Sequence, residues 1–364
     1  MLELASSDYL TSAHFSPRER AAVLWAENVA KNTARERDDV YAAVKQHFTD
    51  AELVELTDVC GVFAVSNRFQ DTMRLPIEEQ GEINKIKSSI RADPNRIKAF
   101  LEMLIETWPK EFPSPSSIDR TGETAAGSAS TAPARKLTVN TMPAYSVPRV
   151  PLLDAETAPV ESARFLSSTR PLLGGVSNAF RVWAHSPHVA KLFLPYQISL
   201  EREGAGSILQ TPLKLLVLIR TAHLNAATYS LAHRTALGRA AGIAEERLAA
   251  LGAEDCIASP LFSPRERAAL VWAEHVADNT AKRREDIFDD LKKHFAVAEI
   301  VELTGSCAMG NRLDLVHNAL RVPLESPAEI EALNRSVRLD PTRIKTYFET
   351  LLADWPREFP VCRS

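Results

Sequence analysis

The stretch FSPRERAAVLWAENVAKNT, residues 15–33, decides the fold because it returns almost unchanged as FSPRERAALVWAEHVADNT, residues 262–280. The same alignment continues along the rest of both copies. HFTDAELVELTDVC matches HFAVAEIVELTGSC, and DPNRIKAFLEMLIETWPKEFP matches DPTRIKTYFETLLADWPREFP near the end of each copy. Similarity at one fixed spacing indicates that a single structural unit is present twice. The first 113 residues and about the last hundred residues are therefore two copies of one unit.

Each copy has the sequence pattern of α-helices. Ser16–Glu19 and Ser263–Glu266 have the capping-box pattern, with proline at the first helical position. Behind the first box, Ala22, Trp25 and Val29 recur at helical spacing and form an apolar stripe. No segment alternates between apolar and polar residues for long enough to indicate a sheet. The sequence therefore predicts an all-α protein.

The region between the copies divides into two parts. Residues 114–146 are rich in Ser, Thr, Ala, Gly and Pro, which is the composition of a disordered linker. The helical pattern resumes at Val147, and one long apolar helix is predicted from Pro212 to about Thr228, with a possible extension to Ala241. We therefore predict a half-domain over residues 1–113, a linker, and one complete domain over residues 147–364.

Composition and charge exclude several classes of protein. The 364 residues carry a net charge of -4, so no basic surplus exists to neutralise nucleic-acid phosphates. No run of about eighteen apolar residues is present, and the first residues lack the pattern of a secretory signal. The four cysteines form no CxxC or CxxH pair and the histidines are scattered, so we expect a reducing cytoplasm, no metal and no cofactor.

Four segments carry a resemblance to a known family. They are PRVPLLDAETAP from Pro148, SNAFRVWAHSPHVAKLF from Ser177, LKLLVLIRTAHLNAATYSLAHRTALGRAAGI from Leu213, and FSPRERAALVWAEHVA from Phe262. Together they resemble one complete domain of the carboxymuconolactone decarboxylase family over residues 147 to about 325. The resemblance implies an alkyl hydroperoxidase D-like helical bundle, to which the first copy adds an extra half-domain.

The residues of the peroxidase branch are missing from this chain. Relatives with alkyl hydroperoxidase activity carry a glutamate, two cysteines three residues apart, and a histidine four residues after the second cysteine. Aligning that histidine with His233 places the cysteines at Ala226 and Tyr229 and the glutamate at Lys214. A thiolate is the species that attacks peroxide, and neither alanine nor tyrosine supplies one. Only His233 is carried over.

The chemistry of this segment suggests a different activity. Histidine accepts and returns protons near neutral pH, so His233 is the candidate general acid–base. Tyr229 could donate to a developing oxyanion, and we expect Ala226, Tyr229 and His233 to share one helical face. Arg220, His223 and Arg234 are near in sequence and are the candidate substrate-binding residues, since arginine binds carboxylates through its fixed fork.

Structural roles are the alternatives for the same residues. His233 could be a hydrogen-bonded histidine between helices, and Tyr229 could be a core residue. Arg220 could be ion-paired, and His223 could be structural or exposed. Lys214 is expected to be solvated near a helix start. Two further residues at equivalent positions of the repeat are expected to be buried, inert thiols: Cys60 and Cys307.

Three functions follow from these residues. The first is a cofactor-independent lyase or decarboxylase-like enzyme on a small carboxylated or phenolic metabolite, with His233 as acid–base. The second is alkyl hydroperoxidase-type antioxidant activity, and the third is a non-catalytic helical scaffold. We also expect a homo-oligomer, because an apolar half-domain needs a surface to cover it. The first copy begins at a point equivalent to residue 248, which leaves open whether Met1 is the natural start.

Overall fold

The computed structural model describes residues 2–86, 93–112, 142–143 and 145–359. Within these residues all regular structure is helical, apart from two isolated β-bridges. The α-helices are α1 Pro17–Ala30, α2 Asp38–Lys45, α3 Asp50–Thr72, α4 Gln80–Ile86, α5 Pro94–Glu106, α6 Val160–Leu173, α7 Asn178–Trp183, α8 Pro187–Glu201, α9 Thr211–Leu224, α10 Thr228–Ala240, α11 Glu245–Ala250, α12 Pro264–Ala277, α13 Glu285–His294, α14 Val297–Leu320, α15 Pro327–Leu333 and α16 Pro341–Ala353. The predicted all-α class is confirmed.

The capping boxes begin the helices where the sequence places them. The Ser16 hydroxyl accepts from the Glu19 amide at 3.2 Å, and the Glu19 carboxylate accepts from the Ser16 amide at 2.7 Å. Ser263 and Glu266 repeat this arrangement at the start of α12. Each box satisfies two amide groups that a helix start leaves without partners. Local sequence is therefore sufficient to fix these two helix starts.

The two copies make reciprocal contacts with each other. The guanidinium of Arg321 donates to the carbonyl oxygen of Arg35 at 2.6 Å, and that of Arg74 donates to the carbonyl oxygen of Lys282 at 3.2 Å. These two contacts occupy equivalent positions of the repeat, with the roles of the copies exchanged. Arg74 and Arg321 also share a left-handed backbone conformation, with φ of 50° and 52°. Such an exchange is the signature of an approximate two-fold arrangement.

The long helices α3 and α14 pack against each other at the centre of this arrangement. The Asp58 carboxylate lies 2.8 Å from the Arg312 guanidinium, and both side chains are buried. Gly61 permits the close approach, because a Cβ atom there would lie 2.8 Å from the Val316 side chain. The first copy is thus packed, through α3, on the equivalent helix α14 of the second copy.

The helix predicted from Pro212 is present as α9 but ends at Leu224, and its possible extension to Ala241 as one helix is wrong. The chain breaks after Leu224, where Ala226 has a φ of 47°, and a second helix begins at Thr228. Tertiary hydrogen bonds hold the break, because the Asn225 carbonyl oxygen accepts from the side chains of Asn32 and Arg35 in the first copy. Ala226 therefore lies in the turn, and only Tyr229 and His233 share a helix face.

The predicted linker falls largely on residues that the structure does not describe. Of residues 114–146, the described ones are 142–143 and 145–146. Cys362 also lies outside the described residues. Among the helices that are described, none has both the length and the apolar character that crossing a membrane requires.

Candidate active site

A cavity of about 90 Å³ lies against α10, between α8, α9, α14 and α15. Most of its surface is apolar, and His233 lines it. The other polar side chains on its walls are Ser177, Gln197, Glu201, Arg202, Tyr229, Ser230, Arg234, His317 and Asn334. A mostly apolar cavity with a few converging polar groups is the usual form of a small-molecule site.

His233 is held at both ring nitrogens. Its Nε2 lies 2.8 Å from the Glu325 carboxylate, and its Nδ1 lies 3.0 Å from the Asn334 amide nitrogen. That amide nitrogen also donates to the Ile330 carbonyl oxygen, which identifies it as the NH₂ group. Asn334 therefore donates to Nδ1, and Nε2 carries the proton that is donated to Glu325. The ring is therefore fixed in the tautomer that carries its proton on Nε2. Its unprotonated Nδ1 points to Asn334, which lines the cavity.

Glu325 is a buried carboxylate that collects three donors. It accepts from His233, from the Tyr229 hydroxyl at 2.9 Å and from the Asn178 amide at 2.5 Å. Burial raises its pKa, but the hydrogen bonds from His233 and from the Asn178 amide outweigh burial and hold the pKa below its usual value. Glu325 is therefore an ionised partner for the histidine. Sequence analysis missed it.

A signal for Glu325 was present in the repeat. The segment RVPLE, residues 321–325, is the counterpart of RLPIE, residues 74–78. This motif follows the end of the long helix in both copies, which marks its glutamate as a position to consider. Nothing in the sequence indicated that its last residue meets His233, because the two residues are 92 positions apart.

Tyr229 packs between two imidazole rings. Its ring centre lies 4.5 Å from that of His233 and 4.8 Å from that of His317. The hydroxyl donates to Glu325 and accepts from the Ala179 amide at 3.2 Å, and burial raises its pKa well above the usual value. The hydroxyl proton is thus already donated to Glu325 and is not available to a ligand. This geometry favours a positioning role over the expected oxyanion donor.

Two of the expected substrate-binding residues lie away from the cavity. Arg220 is buried on α9, where it pairs with Glu274 at 2.8 Å and donates to two backbone carbonyl oxygens. His223 packs against Gly252, and burial together with the Arg220 charge lowers its pKa to about 4. Neither residue lines the cavity. Our expectation that they reach it is wrong, because Arg220 points to Glu274 on α12 and His223 points to Gly252 after α11.

Arg234 does line the cavity, but its guanidinium is already occupied. It pairs with Asp314 at 2.8 Å and donates to the carbonyl oxygens of Leu218 and Gly310. A carboxylate clamp needs free donors in the guanidinium fork. Arg234 therefore supports the packing of α10 on α9 and α14 in this arrangement.

Lys214 is buried, contrary to the expectation that it is solvated. Its ammonium group lies 2.6 Å from the Glu302 carboxylate and also donates to backbone oxygens of Ser199 and Arg202. Burial lowers the pKa of Lys214, which the charge of Glu302 opposes. Ion pairing of this quality allows a lysine at a core position. Lysine here is a structural residue of the helix start.

The described cysteines do not have the environment of reactive thiols. Burial raises the pKa of Cys60 and of Cys256 to about 11, and raises that of the fully buried Cys307 further. None of the three lines the cavity. A nucleophilic cysteine needs a lowered pKa and access to its substrate. Within the described residues, no group of three or more His, Cys, Asp or Glu residues could hold a metal ion.

Comparison with solved structures gives only a loose likeness. No family model matches the chain, and no curated protein matches it. A solved structure described as an alkylhydroperoxidase AhpD core, an uncharacterized peroxidase-related protein from Ralstonia eutropha JMP134, is 19% identical, with a TM-score of 0.44. The match covers 54% of this chain and 100% of that one. These values are too low to transfer an activity.

Proposed function

We propose that the chain is a cofactor-independent acid–base enzyme, of the lyase or decarboxylase type, in which His233 and Glu325 act on a small molecule in the cavity. One observation carries the proposal. The Glu325 carboxylate is buried, has a lowered pKa and lies 2.8 Å from Nε2 of His233. The other ring nitrogen of His233 contacts Asn334, which lines the cavity. This pairing orients the ring and holds the proton on Nε2, as in known catalytic dyads.

The working nitrogen is Nδ1 of His233. A ligand that displaces the Asn334 amide from Nδ1 exposes the lone pair to a proton of the ligand. The proton moves to Nδ1, Glu325 stabilises the imidazolium through Nε2, and the proton returns to the product from the same nitrogen. A positioned general acid–base of this kind typically gives about 10²–10⁴-fold in rate. Enolisation, lactone opening and decarboxylation all need such a step.

Thiol-based peroxide chemistry is the less supported alternative. The cavity beside His233 contains none of the described cysteines, and burial raises the pKa of all three. The expected homo-oligomer, the cytoplasmic location and the non-catalytic scaffold stay predictions. A scaffold would need no cavity and no buried histidine–carboxylate pair, and both are present.

The test is a thermal-shift screen of small hydroxylated, phenolic and carboxylated metabolites. A ligand at about 100 times its Kd stabilises the native state by about 2.7 kcal/mol, which is readily detected. The hits are then tested for turnover by the wild type, His233→Ala, Glu325→Gln and the control His14→Ala, which removes an exposed histidine. We expect turnover to fall at least about 10²-fold in the first two variants and to be unchanged in the control. Unchanged turnover in His233→Ala would contradict the proposal.

A further inference from the structure

Three large apolar side chains lie exposed next to one another on α3 of the first copy. Val59, Val62 and Phe63 have helical spacing and are 47%, 41% and 62% exposed, and we call them the α3 face. We infer that the α3 face is a dimer interface, on which α3 of a second copy of this chain packs antiparallel about a two-fold axis. An exposed apolar patch of this kind marks an interaction surface. The inference goes beyond the proposed function, because none of the three residues lines the cavity beside His233.

The equivalent face of α14 in the second copy is covered by other helices. Its residues at the same positions of the repeat are Ser306, Met309 and Gly310, and all three are buried. The Ser306 hydroxyl donates to the Leu200 carbonyl oxygen of α8 at 2.9 Å, and the Leu218 side chain of α9 packs on Gly310. The described residues of the first copy include no counterpart of α8 or α9. The α3 face is therefore left for a partner to cover.

The α3 face does not fit a helix placed as α9 is placed on α14. A Cβ atom at Gly310 would already lie 2.5 Å from the Leu218 side chain, and Phe63 occupies the equivalent position of α3. A whole phenyl ring at that position would overlap such a helix. Asp314, which forms an ion pair with α10, is replaced in α3 by the uncharged Asn67. The contacts that hold α9 and α10 on α14 are thus missing from α3, which favours a partner of a different geometry.

The surface of α3 is complementary to itself in the antiparallel direction. Polar residues at helical spacing continue the α3 face toward both helix ends: Glu55, Ser66 and Gln70. A two-fold axis perpendicular to α3, between Val62 and Phe63, places Val62 against Phe63 of the partner subunit. The same axis places the Glu55 carboxylate against the uncharged Gln70 of the partner subunit. A parallel pair would instead bring the two Glu55 carboxylates together, and such a juxtaposition of like charges costs free energy.

A second copy of the chain also matches the number of faces to be covered. Each chain presents one α3 face, which an isologous contact uses on both subunits. Such a contact closes after two copies, so that the dimer leaves neither α3 face in water. The apolar area removed from water at Val59, Val62 and Phe63 then favours association.

Sedimentation equilibrium of the full chain tests the dimer. We expect a species of twice the chain mass of 40.2 kDa. Phe63→Glu brings two carboxylates to the two-fold axis and should return the mass to that of one chain, with the helical content of the wild type by circular dichroism. The control Val297→Glu changes an apolar side chain that is 75% exposed at the start of α14, and should stay dimeric. A wild-type chain that is monomeric or assembles to another number, or a folded Phe63→Glu variant that stays dimeric, would overturn the inference.

Disulfide cross-linking tests the direction of the two helices and introduces no charge at the axis. In the background Cys362→Ser, we expect Val62→Cys to give a covalent dimer on oxidation, because position 62 lies beside the two-fold axis. Glu55→Cys is the matched control on the same helix surface. In an antiparallel pair its two copies lie about 20 Å apart along the helices, which is beyond the reach of a disulfide. A covalent dimer of Glu55→Cys, or none of Val62→Cys, would contradict the antiparallel pairing.

Discussion

His233 on α10 and Glu325 beyond α14 are joined by a hydrogen bond of 2.8 Å between Nε2 and the carboxylate. The counterpart of Glu325 in the first copy is Glu78, which ends the equivalent RLPIE segment and is exposed. Among the described residues of the first copy there is no equivalent of α10, so no counterpart of His233 meets Glu78 there. Within the described residues, the repeated motif thus contacts a histidine only in the second copy, where Glu325 meets His233.

The pair between Glu325 and His233 makes stability depend on pH. Because the folded pKa of Glu325 is lowered, its contribution to stability is fully present above the unfolded pKa and is lost as pH falls through the folded pKa. We expect Glu325→Gln to lack this part of the acid-side decrease in the free energy of unfolding. Urea titrations at several pH values below about 5 measure it, with exposed Glu246→Gln as the control. Identical pH profiles of the wild type and Glu325→Gln would contradict the expectation.

The two copies contain equivalent ion pairs that differ in their exposure to solvent. Arg18 and Glu52 pair at 2.8 Å with side chains 49% and 41% exposed, whereas Arg265 and Glu299 pair at 2.8 Å with 25% and 4% exposed. Solvent screens the first pair and not the second. We expect Glu299→Gln to lower the free energy of unfolding by about 2 kcal/mol or more, and Glu52→Gln by less than about 1 kcal/mol. Chemical denaturation of both variants checks this, and equal losses would show that burial does not set the difference.

A substitution of Lys214 tests whether this buried cation stabilises the fold. Lys214→Met leaves the partly buried Glu302 without its cationic partner, so we expect a loss of about 3–5 kcal/mol in the free energy of unfolding. Lys293→Met removes an exposed lysine that pairs with Asp290 and should change stability by less than about 0.5 kcal/mol. A small effect of Lys214→Met would mean that the lysine is less desolvated than its contacts indicate.

The described cysteines should be unreactive in the native protein. Thiolate is the reactive form, and burial raises the pKa of Cys60 and Cys256 to about 11 and that of Cys307 further. In the variant Cys362→Ser, we expect a disulfide reagent at pH 7.5 to label no thiol before denaturant is added and all three afterwards. Thiol-dependent consumption of alkyl hydroperoxide should be absent from the same variant and from the wild type. Rapid native labelling of any of the three would reopen peroxide chemistry.

The sequence predicted the parts of the site that depend on one segment. His233 could be chosen because the signature segment places a histidine at the family position, and the capping boxes could be located because cap and helix are neighbours in the chain. Arg220, His223 and Lys214 were misjudged because helix periodicity gives only the relative directions of side chains. It does not say which direction faces a cavity, and the sides of α9 that carry Arg220 and Lys214 are buried against other parts of the protein.

By itself the sequence determined the all-α class, the helix starts at Ser16 and Ser263, and the recurrence of residues 15–33 as residues 262–280, because each follows from patterns within a few turns of chain. Only the tertiary structure decided the partners of His233 and the break at Ala226. The break depends on hydrogen bonds from the first copy to a turn 190 or more positions away, and the site depends on a carboxylate 92 positions from its histidine. Contacts over such separations are set by how helices pack, and no local pattern of residues encodes them.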